Sequence, residues 1–282
     1  MGVLPLVLVL AAAGAHAGWN LIAKRAGGGV AFVWRCAVAG LAIYLPAALA
    51  QLVVQAGQLS LAGLAFMAGS GVLHAGYFGS LQEGYAVGDL SLVYPLARGI
   101  GPLLSVIGAI VILDEGASAP VLAGAALIVL AILSLARGAR RQRTAPAVAM
   151  AALTGAFTAA YTVWDAYAVT ALGQPVIVYY WGSQLVQAVV LSPAAFRRGI
   201  RGARGEGDWR SALGVGALSP AAYILVLAAL TLAPVVVVAP AREVSIVFGV
   251  LIGAHALGEG HAVRRTLAAA AIVAGIALLA LA

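Results

Sequence analysis

Long apolar stretches run along the whole chain and are interrupted at short intervals by glycine, proline or clustered charge. A hydrocarbon layer about 30 Å thick is crossed by roughly 20 helical residues. Marking the interruptions divides the chain into segments of about that length. The pattern therefore predicts ten membrane-spanning helices. They lie near residues 3–23, 30–50, 60–83, 90–112, 117–136, 146–171, 175–193, 211–231, 235–256 and 263–281.

The composition supports a polytopic membrane protein and argues against other classes. Of the 282 residues, 63% are hydrophobic and only 9% are charged, whereas soluble domains carry about 25% charged residues. The mean hydropathy is +1.06. These proportions disfavour soluble enzymes, nucleic-acid-binding proteins and secreted disulfide scaffolds. The single cysteine, Cys36, cannot form an internal disulfide.

The basic residues indicate a membrane topology rather than a nucleic-acid partner, although the formal net charge is +7. Outside the apolar segments, every Lys and Arg lies in or beside an odd-numbered connection, counting the connection between the first two segments as the first. Because Lys and Arg mark cytoplasmic loops, this distribution predicts that both termini lie outside. The Arg-rich stretches 137–143 and 197–210 are interpreted as topology anchors, with contact to anionic lipid head groups as the alternative.

The chain repeats itself after about half its length. Trp, Arg and Glu are infrequent in so apolar a sequence, so coincidence explains their repeated spacing poorly. Each half holds five segments, an odd number, and the second half would cross the membrane in the opposite sense, as in many secondary transporters. The sequence thus predicts an all-α membrane protein with two inverted five-helix repeats, residues 1–138 and 145–282, around a central cavity. The matched positions include Trp19 and Trp164, Arg98 and Arg242, and Glu115 and Glu259.

Three features resemble the drug/metabolite transporter superfamily, and within it the ten-helix EamA-type permeases. They are the plan of two times five helices, the run from His16 to Asn20 followed by Lys24, and an acid-Gly turn after the fourth helix of each half, with Glu115 and Glu259. The resemblance implies a basket of helices that moves small metabolites or drugs by alternating access. Relatives are thought to place both termini in the cytoplasm, so the orientation stays open.

Charged residues inside the predicted spans are the strongest candidates for a site, because a charge at the centre of a membrane helix costs about 2.5–3.5 kcal/mol on insertion scales. Arg98 and Arg242 occupy equivalent places, and each follows a proline, Pro95 or Pro240, which removes a helix hydrogen bond. We expect a break there that seats a substrate carboxylate or phosphate, with bracing of helix packing as the alternative. Glu243 is expected to form an ion pair or to take and release a proton.

Polar and aromatic residues follow one face of the first segment and the same face of the sixth. Aromatic walls with a few polar groups are typical of small-molecule sites, so we expect the two faces to meet across the cavity. An interfacial aromatic belt is the alternative, above all for Trp19. The two faces consist of His16, Trp19 and Asn20, and of Tyr161, Trp164 and Asp165. The other predicted cavity residues are His74, Tyr77, Tyr94 and Tyr223.

Two histidines and one aromatic run each admit two interpretations. His16 and His74 are candidate proton carriers, since histidine titrates near physiological pH, and an interhelical hydrogen bond is the alternative for both. The run Tyr179–Trp181 begins the seventh segment and is interpreted as part of an interfacial belt.

The sequence carries none of the common enzyme signatures. His-Glu-x-x-His, Cys-x-x-Cys, a Walker-type loop and Gly-x-Ser-x-Gly do not occur, so we expect no catalytic residue, no metal and no cofactor. The pattern favours a monomeric secondary transporter of the bacterial cytoplasmic membrane that exports small organic metabolites such as amino acids. Its partners would be that small-molecule substrate and the lipid bilayer, and no nucleic acid. A membrane-embedded enzyme or lipid-handling protein that uses the polar residues is the alternative.

Overall fold

The computed structural model describes residues 1–26, 29–88, 90–136, 145–197, 208–248 and 262–281. Within these ranges the chain is almost entirely α-helical and contains no β-strand. Ten α-helices of seven residues or more lie there. They are α1 (Val3–Ala26), α2 (Val30–Gln55), α3 (Leu61–Val87), α4 (Leu90–Ile112), α5 (Ala119–Ala136), α6 (Ala145–Thr170), α7 (Val176–Arg197), α8 (Trp209–Leu230), α9 (Val235–Ala241) and α10 (Ala262–Leu281).

Nine of the predicted segments coincide with these helices to within a few residues, and local chemistry explains several boundaries. The Ser60 hydroxyl accepts a hydrogen bond from the Gly63 backbone N–H at 3.0 Å and caps α3. The Asp208 carboxylate caps α8 in the same way. Pro175 and Pro234 stand immediately before α7 and α9, where a missing N–H costs nothing.

The ninth predicted segment differs from the structure. A single helix over 235–256 was expected, but α9 ends at Ala241 and a 3₁₀ turn, Arg242–Val244, follows it. Pro240 cannot donate a hydrogen bond and its ring crowds the preceding turn. Helical residues 245–248 continue the chain, and the rest of the segment lies outside the described residues. In contrast, α4 stays α-helical through both of its prolines, so the break expected in both halves occurs only in the second.

The helices have the length and surface of a membrane protein. By length and composition alone, six helices in the described ranges could cross a bilayer, namely α1, α2, α3, α4, α6 and α8. The helices α5 and α10 contain shorter apolar stretches. Large apolar side chains face outward, as Val53 and Val54 do with 82% exposure each, and such surfaces suit hydrocarbon rather than water.

Helices from the two halves of the chain pack against each other. The pairs in contact include α1 with α8, α3 with α6, α2 with α7, α4 with α9 and α5 with α10. The pair α5 and α10 approaches most closely at Gly124 and Gly275, since a Cβ atom on Gly124 would lie 2.8 Å from the Gly275 carbonyl oxygen. Glycine is therefore required there for the helix backbones to meet.

Both termini and the even-numbered connections lie at one end of the bundle, which we call the termini face. Two side chains of the first half bind the starts of second-half helices at this face. The Glu115 carboxylate accepts hydrogen bonds from the first two backbone N–H groups of α9, each at 2.9 Å. The Gln51 amide oxygen accepts from the N–H groups of Ile177 and Val178 in α7. Glu115 belongs to the acid-Gly turn, and its counterpart Glu259 lies outside the described residues.

Candidate substrate-binding site

A small cavity of about 50 Å³ lies among α1, α4, α6, α8 and the turn after α9. Tyr223 stands seven residues before the end of α8 and Arg98 fourteen before the end of α4. At 1.5 Å per residue these positions are about 10–20 Å from the termini face, close to the middle of a 30 Å hydrocarbon layer. The lining residues are Ala12, Ala13, His16, Arg98, Tyr161, Ala222, Tyr223, Val226 and Arg242.

One wall of the cavity is an ion cluster, which we call the arginine cluster, formed by Arg98, Arg242, Glu243 and Ser245. Arg98 Nε lies 2.8 Å from one carboxylate oxygen of Glu243, and Arg242 Nε lies 3.5 Å from the other. Arg98 Nη2 also donates to the Ser245 hydroxyl at 2.7 Å. Glu243 is fully buried. Two guanidinium groups therefore share one carboxylate, and the cluster retains a net positive charge.

Arg242 keeps an unused hydrogen-bond donor beside the cavity. Only 8% of the residue is exposed, and its buried Nη2 atom makes no hydrogen bond. Buried donors are normally satisfied, and leaving one unpaired costs about 1–3 kcal/mol. An acceptor that enters the cavity would satisfy it. The Arg98 guanidinium lies over the Tyr94 ring, with its central carbon 5.9 Å from the ring centroid.

A buried carboxylate held by hydroxyl groups, which we call the aspartate clasp, lies behind the cavity residue Tyr223. Asp165 on α6 is fully buried. Tyr179 on α7 donates to one carboxylate oxygen and Tyr223 on α8 donates to the other, each at 2.7 Å. The clasp therefore joins three helices through one side chain, and Tyr223 is both a member of the clasp and a cavity residue.

His74 packs beside the clasp and its tautomer follows from its partner. The Nδ1 atom lies 2.9 Å from the Ser70 carbonyl oxygen, which can only accept, so Nδ1 carries the hydrogen. The imidazole stacks on the Tyr161 ring at 4.1 Å and meets the Tyr223 ring edge-on at 5.2 Å. Tyr77 meets Tyr161 edge-on at 5.8 Å. The histidine and tyrosines thus form a continuous aromatic layer.

The structure brings together ten of the thirteen predicted site residues. Five of them line the cavity and five form the layer directly behind it. The first group is His16, Arg98, Tyr161, Tyr223 and Arg242. The second group is His74, Tyr77, Tyr94, Asp165 and Glu243.

Trp19, Asn20 and Trp164 are not among the residues that line the cavity. Trp164 is 36% exposed, and its indole N–H donates to the Phe66 carbonyl at 2.9 Å. Trp19 packs against an apolar cluster of α2 and α8, and the Asn20 amide donates to the His16 carbonyl of its own helix. Residues at positions i+3 and i+4 point about 100° apart on a helix. Side chains that were predicted to share one face therefore contact different neighbouring helices. Only the first positions of the two faces, His16 and Tyr161, reach the cavity.

The sequence interpretation missed Tyr179 and Tyr180, which it assigned to an interfacial belt. Tyr179 is fully buried in the clasp, and Tyr180 is buried against the rings of His74 and Tyr223. A signal was present in the connection lengths. Asp165 stands five residues before the end of α6, and Tyr179 stands three after the start of α7. A short connection places the two at similar depth in an antiparallel pair of helices.

An all-helical bundle with membrane-length apolar helices and a polar centre at mid-depth defines the protein as a multi-pass membrane protein. The sequence model of the EamA-like transporter family matches residues 145–281. These residues belong to that family, and the match confirms the resemblance to the EamA-type permeases of the drug/metabolite transporter superfamily. Transporters, not enzymes, make up this family.

The fold also has counterparts among solved structures, of which 28 chains are similar to this one. One crystal structure aligns with 98% of this chain and 96% of its own, with a TM-score of 0.81 and 16% sequence identity. That likeness shows the fold alone. No curated protein sequence matches the chain.

Proposed function

We propose that the protein is a secondary active transporter that exports small organic metabolites, such as amino acids, across the bacterial cytoplasmic membrane by alternating access. The observation that carries this proposal is the unpaired Arg242 donor beside a cavity at mid-membrane depth. Intramembrane charges that face a cavity usually mark substrate pathways. The family match to residues 145–281 supports transport as the activity.

The cavity walls suit a substrate with an anionic group. The arginine cluster is net positive, and a guanidinium binds a carboxylate or phosphate through two parallel hydrogen bonds. The rings of Tyr161 and Tyr223 offer a surface for an apolar or polarisable part of the same molecule. An amino acid has both features, a carboxylate and an organic side chain.

We further propose that residues 1–138 and 145–282 are inverted repeats. The helix contacts support this idea. If each helix number is replaced by the number five higher or five lower, several of the observed contacting pairs turn into other observed pairs. The pair α1 with α8 becomes α6 with α3, and α2 with α8 becomes α7 with α3. The pairs α2 with α7, α4 with α9 and α5 with α10 are unchanged by the exchange. A chain that contains both halves needs no second copy, so we expect a monomer.

The test is ligand-dependent stability of the purified protein, followed by transport in proteoliposomes. Amino acids, phosphorylated metabolites and cationic drugs are screened for an increase in melting temperature, since a ligand that binds only the folded state raises apparent stability. We expect anionic or zwitterionic compounds to stabilise the wild type and to cross the vesicle membrane unchanged. In Arg242→Lys the charge remains but the planar guanidinium group is lost. At least a tenfold higher ligand concentration should therefore be needed for the same increase in melting temperature.

The exposed Arg210, in the first turn of α8, supplies the matched control, and Arg210→Lys should bind as the wild type does. If only cationic compounds raise the melting temperature, and do so equally in Arg242→Lys and Arg210→Lys, the result would contradict an anion-binding site. Conversion of a compound into a product by the purified protein would instead support the alternative, a membrane-embedded enzyme or lipid-handling protein.

A further inference from the structure

The aspartate clasp borders the same cavity as the arginine cluster, and this arrangement suggests how transport is coupled to an ion. We propose that Asp165, acting through the Tyr223 hydroxyl, is a shared site at which a proton and the ammonium group of a zwitterionic substrate exclude each other. The proposal rests on the proposed function, because it takes the substrate to be an amino acid or a similar zwitterion.

The first step concerns the direction of the hydrogen bond between the two residues. A tyrosine hydroxyl has one donor and two acceptor positions. While Asp165 is ionised, the Tyr223 hydroxyl donates to it at 2.7 Å. The lone pairs of the Tyr223 oxygen are then acceptors at the cavity wall. A chain of hydrogen bonds from an ammonium group through Tyr223 to a carboxylate is polarised in one direction throughout, which strengthens each bond.

The second step concerns where the two ends of the substrate would lie. Arg242 offers an unused donor at the cavity, which suits the carboxylate of an amino acid. The ammonium group of the same molecule is attached to the adjacent carbon, so it remains within the same small cavity. Tyr223 is the cavity residue that is hydrogen-bonded to an acidic side chain other than Glu243. Because Arg242 and Tyr223 line one small cavity, we place the ammonium group at the clasp when the carboxylate is at the arginine cluster.

The third step is the effect of a proton on Asp165. With the proton on the carboxylate oxygen that faces Tyr223, the carboxyl O–H donates to the Tyr223 hydroxyl, whose own hydrogen then turns toward the cavity. That hydrogen, together with the lost negative charge, then opposes an ammonium group. One proton bound to Asp165 thus replaces one ammonium group at Tyr223.

Several titratable and charged groups surround Asp165 and affect the binding of a proton to its carboxylate. Asp165 is faced by Tyr179 from α7 and Tyr223 from α8, and His74 approaches from α3. Arg98 of α4 and Arg242 of the turn after α9 line the same cavity as Tyr223. Tyr161 lies one turn earlier on α6 itself. Both groups that contact the carboxylate from α7 and α8 are neutral hydroxyls, so the carboxylate charge is available to an incoming cation. Exchange of one inward proton for one outward substrate would drive export.

The experiment compares an amino acid with its analogue that lacks the amino group, for example L-phenylalanine with 3-phenylpropionate, and L-leucine with 4-methylpentanoate. Their dissociation constants for the purified full-length protein are measured between pH 5 and pH 9. We expect amino-acid binding to weaken tenfold per pH unit on the acidic side, because proton and ligand binding are reciprocally linked. The analogues should show no such weakening. In Asp165→Asn and in Tyr223→Phe, the pH dependence of amino-acid binding should disappear.

The controls separate this coupling from a structural role. Tyr167, two residues from Asp165 on α6, is 42% exposed and outside the cavity, and Tyr167→Phe should keep the wild-type pH profile. If the profile disappears in His74→Gln and persists in Asp165→Asn, the proton binds His74 and the proposal is overturned. Equal pH profiles for amino acid and analogue overturn it while leaving the transport function intact. Absence of binding by both compound classes at every pH contradicts the amino-acid substrate of the proposed function itself.

Discussion

Each half of the chain supplies one arginine to the polar centre, but only the second half supplies buried acids. Arg98 and Arg242 occupy equivalent places in the proposed repeat, and both line the cavity. Glu243, which both arginines contact, corresponds to Gly99 in the first half. The proposed repeat places one arginine in each half, whereas the acid that contacts both arginines belongs to the second half alone.

The same asymmetry appears in α1 and α6. Asp165 holds two tyrosines from other helices, whereas Asn20, its counterpart, is bonded to a carbonyl of its own helix. Both buried acids of the polar centre therefore lie in the second half. Within the proposed repeat, the two halves of the polar centre thus differ at two positions, Gly99 against Glu243 and Asn20 against Asp165.

The largest expected effect is the loss of Glu243. In Glu243→Ala the two buried guanidinium groups face each other without a carboxylate, and breaking such a buried pair costs about 3–5 kcal/mol. We expect a decrease of that size in the free energy of unfolding, measured by denaturant titration in detergent. The exposed Glu83 on α3 is the control, and Glu83→Ala should change stability by less than about 0.5 kcal/mol. Equal effects of the two variants would show that the arginines need no counter-charge.

The next effect tests the clasp. Tyr179→Phe removes one hydrogen bond to a carboxylate, and hydrogen bonds to charged groups contribute about 1.5–3 kcal/mol. We expect Tyr179→Phe to lower the free energy of unfolding by that amount in the wild-type background. The decrease should be about 0.5–1.5 kcal/mol when Asp165→Asn is already present. A double-mutant cycle of unfolding free energies measures the difference. Additive losses would mean that Tyr179 acts through packing and not through the Asp165 charge.

A smaller effect is expected where the first half caps the second. Glu115→Ala leaves the first two N–H groups of α9 without their acceptor, and loss of such a cap costs about 0.5–2 kcal/mol. Hydrogen exchange at the start of α9 should accelerate while that of α6 stays unchanged. The exposed neighbour Asp114 has a positive φ of 55°, which asparagine tolerates, so Asp114→Asn should leave both rates as they are.

The smallest effect belongs to Asn20. Its side-chain hydrogen bond stays within α1, and alanine has the higher helix propensity by about 0.5 kcal/mol. We expect Asn20→Ala to change the melting temperature by no more than about 2 °C, in either direction, and to leave ligand binding unchanged. A loss as large as that of Tyr179→Phe would show that α1 has an equivalent of the clasp.

The sequence predicted the helices well because their signals are local. Apolar runs of membrane length and prolines at the starts of α7 and α9 are readable without any tertiary contact, and the observed boundaries agree closely. The break after α9 required more, since Pro95 and Pro102 leave α4 intact while Pro240 precedes a 3₁₀ turn. The presence of a proline therefore does not by itself decide whether a helix ends, and the sequence offered no further local signal that distinguished the two places.

The polar centre was predicted in part for the same reason. Charges such as Arg98, Asp165 and Glu243 stand out in an apolar chain, because their desolvation must be compensated by a partner. Tyr179 does not stand out, since tyrosine near a helix end is ordinary in membrane proteins. Trp19 and Trp164 lie outside the cavity because of the neighbouring helices that they face. Helical periodicity alone does not identify those neighbours.

The cavity volume has a consequence for every affinity that will be measured. A space of about 50 Å³ is well below the 150 Å³ or so that accommodates benzene, so under the proposed function the cavity must widen before an amino acid enters it. Apparent dissociation constants then equal the intrinsic constant divided by the fraction of molecules that are open. A substitution that loosens the contact between Gly124 and Gly275, far from any ligand, could strengthen apparent binding merely by making the open population larger.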